Sequence, residues 1–183
     1  MTTTVRTLLI VVLSCCSLSL FAAEPQRSPY AGMEMRSIKA LSAAQVSGYL
    51  AGEGMGMALP AELNGYPGPR HVLDAAEELR LTAPQKSQIQ SIFDAMHQEA
   101  VELGKKIVSG EESLDRDFAA GKVSQEDLAR RIDEIAVLQG KLRLTHLQAH
   151  LRTKALLTTE QIAAYQRLRG YAHDGSTHSH HQH

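Results

Sequence analysis

The chain has 183 residues, with 19 Lys and Arg against 20 Asp and Glu and a formal net charge of −1. A balance this close to zero offers no field to hold nucleic acid, and the length suits one domain with tails. Aromatic residues make up 4%, Trp is absent, and Leu, Ala, Gln, Glu, Lys and Arg dominate the second half, so an all-α fold is expected.

Residues 1–23 read as a secretory signal peptide. Arg6 supplies the positive start, Leu8 to Phe21 is mostly apolar, and Phe21-Ala22-Ala23 offers a small residue for cleavage. The apolar run is short and interrupted by Ser and Cys, which argues against a transmembrane span. Val12-Leu13-Ser14-Cys15 is an alternative lipobox, though apolar residues continue past it to Phe21. Cleavage after Ala23 removes Cys15 and Cys16, leaving no thiol for a disulfide or a thiolate metal site. The expectation is a periplasmic protein stabilised by helix packing alone.

Residues 24–65 form an N-terminal extension. Pro25, Pro29 and Gly32 suggest a loose lead. Ser42-Ala43-Ala44-Gln45 reads as a capping box, in which Ser accepts a backbone N–H and Gln three residues on returns a bond to the cap. It opens a short helix to Leu50. Gly52 to Met57 reads as a flexible joint, Ala58 to Leu63 as one helical turn, and Asn64 to Pro69 as a strong turn. Pro69 suits the first position of a helix running to Leu79.

The main domain, residues 66–171, is built on a phrase that occurs twice. Leu81-Thr82-Ala83-Pro84-Gln85 and Leu157-Thr158-Thr159-Glu160-Gln161 both read L-T-x-x-Q, and each is a capping box. The preceding Leu in each is placed to staple onto its own first turn, at Lys86 or Ile162. Between the boxes, Ile89, Ile92, Phe93, Met96, Ala100, Leu103, Ile107, Leu114 and Phe118 recur at three- and four-residue steps. One helix to Ala120, about 55 Å long, follows, with a bend expected at Gly110. Gly121-Lys122-Val123 is the turn, Ser124 caps the returning helix, and Leu128, Ile132, Ile135, Leu138 and Leu142 form its stripe. The second box opens a last helix ending at Gly170. A lone hairpin of long helices has little interior, so a homodimer is expected to cover its apolar stripe. Residues 172–183 are polar and His-rich, and are read as a disordered tail.

Two L-T-x-x-Q motifs in an exported chain with a short-long-long-short helix order resemble the Spy/CpxP family of periplasmic stress chaperones. Relatives include the zinc-resistance protein ZraP and heavy-metal sensors of the CnrX type. The resemblance implies a four-helix domain in which long helices pair as an antiparallel dimer with a shallow cradle. It also implies one of several roles: holding unfolded periplasmic proteins without ATP, binding metal, or restraining a membrane stress sensor.

The residues that suggest chemistry are histidines. His146 and His150 stand at i, i+4 on one helix face, the spacing that brings two imidazoles to one metal. A straight hairpin places His97 opposite His146, with Met96 and Glu99 nearby. His97, His146, His150 and Met96 therefore form a candidate site for zinc, nickel or copper; the alternative is a set of half-buried histidines at a helix seam. The tail histidines His173, His178, His180, His181 and His183 suit a looser, exchangeable metal site. Met33-Glu34-Met35 and Met55-Gly56-Met57 carry paired thioethers, read mainly as adaptable apolar contacts. No nucleophile elbow, phosphate loop or H-E-x-x-H occurs, so no enzyme activity is expected. The sequence thus points to an ATP-independent chaperone-like protein that binds divalent metal, or to a metal sensor acting on a membrane partner.

Overall fold

Four helices begin where a Ser or Thr side chain accepts the backbone N–H three residues on: Ser42, Thr82, Ser124 and Thr158. Each cap has extended backbone and satisfies one of the donors a helix start leaves free. At Ser42, Thr82 and Thr158 the Gln three residues later returns its bond, completing the box. The protein is described by a computed structural model over residues 27–171. The helices are α1 (Ala43–Leu50), α2 (Leu59–Glu62), α3 (Pro69–Asp74), α4 (Ala83–Ala119), α5 (Gln125–Lys154) and α6 (Thr159–Leu168), after a 3-10 turn at Met33–Met35. The described residues contain no strand. No helix among them is long and apolar enough to cross a membrane.

The helices α4 and α5 pack along each other as the expected hairpin, turning at Gly121 with φ +63°. At the open end, Val72, Leu79, Ile89 and Tyr165 form one buried cluster, and both motif leucines, Leu81 and Leu157, pack against it. The leucines thus serve one shared core that joins α3 and α6 to the hairpin. A second cluster, Ala100, Leu103, Ile107 and Leu142, lies farther along and is covered by Tyr49 and Met57 from the extension. Toward the turn the stripe does not stay buried. Phe118 and Ile132 are exposed, and polar links replace packing: Arg131 donates to Ser113 Oγ at 2.8 Å and pairs with Asp117 at 2.6 Å.

Residues 27–31 form a short turn of their own, and the compact unit runs from Gly32 onward. Residues 32–65 therefore fold with the hairpin. The expected joint at Gly52 to Met57 is instead a run of tight turns, with positive φ at Gly52 (+64°), Met55 (+41°) and Gly56 (+80°), and it is docked on α4. The helix α4 is unbroken through Gly104 and Gly110. Gly104 serves close approach: a Cβ there would fall 2.0 Å from the Tyr49 carbonyl oxygen. The helix expected from Pro69 to Leu79 is regular only to Asp74 and continues as turns, ending at Arg80 with φ +50°. The signal-peptide reading (1–23) and the His-rich tail lie outside the described residues.

Candidate metal centre

Between the two clusters the hairpin opens onto a pocket lined with histidines. Met96 and His97 come from α4, and His146 and His150 from one face of α5. His71 reaches the same pocket from α3, and Gly52 and Gly54 of the extension roof it together with Gly68, just before α3. Its volume is about 220 Å³. The antiparallel register thus brings His97, His146, His150 and Met96 to one place. Glu99 does not line the pocket.

His146 occupies a position on the stripe where a hydrophobe would pack. Its side chain is buried, the residue being 4% exposed, and its Nε2 has no hydrogen-bond partner. Among the described residues no other buried side-chain nitrogen or oxygen is left this way. Thr145 and Thr153 donate to the carbonyls of Lys141 and Ala149, and Glu62 has several partners. An unpaired buried polar atom costs about 1–3 kcal/mol, so the nitrogen is anomalous as a purely structural group. Burial, then the neighbouring His150 and His97, holds the imidazole below the usual histidine range. It is therefore neutral at pH 7, with a lone pair available on one ring nitrogen.

His150 is oriented more fully. Its Nδ1 lies 2.7 Å from the Tyr66 carbonyl oxygen, which can only accept, so the proton sits on Nδ1. That leaves Nε2 as an acceptor. The Nε2 edge of the ring lies against Gly68, where a Cβ would stand 3.1 Å away. A metal-binding imidazole characteristically donates its other N–H to a carbonyl or carboxylate, which fixes tautomer and ring plane. His97 is less constrained: it stacks on Phe93 with ring centroids 5.6 Å apart and lies beneath Gly52.

The donors present fit a borderline metal ion: imidazole nitrogens and one thioether, with no thiolate. Zinc, nickel and copper all accept such a set. As placed, no three His, Cys, Asp or Glu side chains among the described residues are gathered at metal-holding distance. His71 belongs to this neighbourhood and was missed from sequence, because a single histidine in a six-residue helix has no periodic partner to mark it. The methionine pairs do not form thioether sites: Met55 packs over Gly48, Met57 joins the second cluster, and Met35 is exposed. The tail histidines His173, His178, His180, His181 and His183 lie outside the described residues.

The sequence profile of the LTXXQ motif family matches residues 70–169. The chain belongs to the LTXXQ motif family. This is the signature of Spy/CpxP-type proteins, so the fold and the family expected from the paired motifs both hold. No curated protein and no solved structure matches the chain. The LTXXQ span includes His71, His97, His146 and His150, but it excludes the roofing glycines, Glu62 and Tyr66. The covering of the LTXXQ hairpin by the extension is thus a feature of this chain outside the matched family region.

Proposed function

We propose that this LTXXQ protein is an exported envelope-stress and heavy-metal-resistance protein that takes up a divalent transition-metal ion, zinc, nickel or copper, in its histidine pocket. The observation that carries the reading is the buried, unpartnered Nε2 of His146, on a side chain that lines one pocket with His97 and His150. An ion there would receive the lone pairs that the protein leaves unused, with Met96 adding a soft donor. The work of the fold is to hold His150 in the right tautomer, exclude bulk water beneath the roofing glycines, and keep His146 neutral.

A second reading rests on a separate observation. Val137, Leu144 and Leu151 on α5 are seven residues apart and more than half exposed. They give one helix face an apolar stripe, suited to weak, reversible cover of unfolded periplasmic protein without ATP. The same face suits a second copy in a homodimer. A metal sensor that acts on a membrane stress partner is the alternative role for the pocket.

Metal titration tests the first reading. The chain with alanine at its five tail histidines should bind one Zn²⁺ or Ni²⁺ per pocket, and His146→Ala should abolish that binding. Equal binding by both would sink the pocket. Suppression of aggregation of a reduced client by the metal-free protein tests the second reading, and its absence at stoichiometric protein would end it.

A further inference from the structure

A divalent ion held only by imidazoles and a thioether would keep its full charge in a pocket half out of water, and burying uncompensated charge is costly. The pocket's one lining carboxylate is Glu53, exposed at its rim. The buried carboxylate is elsewhere. Glu62, in α2, is 8% exposed, and its Oε2 stands 3.7 Å from Nδ1 of His150. Both of its oxygens accept hydrogen bonds, the pattern of an ionised carboxylate: Gly68 N–H donates to Oε2 at 3.2 Å and Tyr165 Oη–H donates to Oε1 at 2.5 Å. Arg169 Nε lies 3.6 Å from Oε1 on the far side.

We propose that Glu62 is the counter-charge and positioning residue of the histidine pocket, acting on a bound cation through His150. This rests on the metal reading above. The His150 Nδ1–H is the link. Nδ1 lies 2.7 Å from the Tyr66 carbonyl oxygen and 3.7 Å from the Glu62 carboxylate, so negative charge stands by that nitrogen while Nε2 is left as the ring's acceptor. A carboxylate in that place raises the donor strength of Nε2 without itself lining the pocket. Gly68 serves both ends, donating its N–H to Glu62 while its bare Cα leaves room beside His150 Nε2. Arg169 works against the effect by neutralising part of the carboxylate. Glu62, Tyr66 and Gly68 all precede the matched family span, so this device lies outside it.

The test has opposite signs built in. In the full chain with the five tail histidines changed to alanine, Zn²⁺ and Co²⁺ affinities are measured by competition and by visible absorption. Glu62→Gln keeps the side-chain shape and one acceptor oxygen, for the Gly68 N–H, while its NH2 would donate to Tyr165 Oη in place of accepting from it; it removes the charge, and should weaken binding about 10–100-fold. Arg169→Gln frees the carboxylate from its cation and should tighten binding about threefold, an outcome that loss of structure would not give. In a His150→Ala background Glu62→Gln should add no further loss. Unchanged affinity in Glu62→Gln, or weaker binding in Arg169→Gln, overturns the proposal while leaving the pocket standing. Should Glu62→Gln fail to fold, the sign for Arg169→Gln decides. If the parent chain binds neither ion, the pocket reading falls and this inference with it.

Discussion

The side-chain amides of Gln85 and Gln161 hydrogen-bond to each other, Gln85 Nε2 donating to Gln161 Oε1 at 2.9 Å. Each also bonds across to the other motif's approach: Gln85 Nε2 donates to the Leu156 carbonyl at 2.7 Å, and Gln161 Nε2 to the Leu79 carbonyl at 3.2 Å. Each Oε1 meanwhile accepts its own cap's backbone N–H, from Thr82 at 3.0 Å and Thr158 at 2.9 Å. The two motifs are therefore one interlocked device. It ties the start of α4 to the start of α6 and satisfies the carbonyls of the turns between them.

Gln85→Ala should cost about 2 kcal/mol, since it removes a capping bond and leaves the Leu156 carbonyl short of a donor. Gln161→Ala should cost a similar amount. The double variant should lose about 1 kcal/mol less than the sum, because each single change already breaks the shared bond. Urea melts of the four proteins measure this, and strict additivity would show that the two amides act separately.

Much of this was legible in the sequence. The capping boxes, the hairpin, its turn at Gly121 and the meeting of His97 with His146 follow from local spacing and helical period, which depend on neighbours along the chain. The link between Gln85 and Gln161 was not legible, nor was the role of Glu62, because both depend on where distant segments dock. Gly52 to Met57 looked like a joint because glycines mark loops. Here they permit backbone to lie directly on histidine rings, which only the folded neighbours reveal.

Two helical glycines should respond in opposite directions to alanine. At Gly104 a Cβ would meet the Tyr49 carbonyl at 2.0 Å, and backbone cannot yield as a flexible side chain does. Gly104→Ala should therefore displace α1 and cost about 3 kcal/mol despite the gain in helix propensity. At Gly140 nothing lies within 4 Å, so Gly140→Ala should stabilise by about 1 kcal/mol. Thermal melts give the signs, and hydrogen exchange over residues 43–50 should rise only in the first variant.

His146→Leu should stabilise the metal-free protein by about 1–2 kcal/mol, since it replaces an unsatisfied buried nitrogen with an apolar group at a stripe position. The same change should flatten the pH dependence of stability. Burial, followed by His150 and His97, lowers the folded-state pKa of His146 from 6.5, so below that value the unfolded chain binds more protons than the folded one. Stability is then present in full above pH 6.5 and drains away as pH falls from there through the lowered folded value. Denaturant midpoints from pH 8 to pH 5 should fall more steeply in the parent than in the leucine variant. Parallel curves would mean that His146 does not titrate differently on folding.

Leu144 is 52% exposed on α5, midway between Val137 and Leu151 on the outward stripe. Its side chain contributes little to the fold, so Leu144→Glu should change stability by less than about 0.5 kcal/mol. The charge would break the apolar stripe at its centre, where a client's transiently exposed hydrophobes would rest. Suppression of client aggregation should therefore fall sharply in Leu144→Glu while the melting curve and metal binding stay as in the parent. Sedimentation velocity of both proteins separates the two uses of this face. A shift from dimer to monomer with suppression retained would assign the stripe to self-association and remove it from client binding.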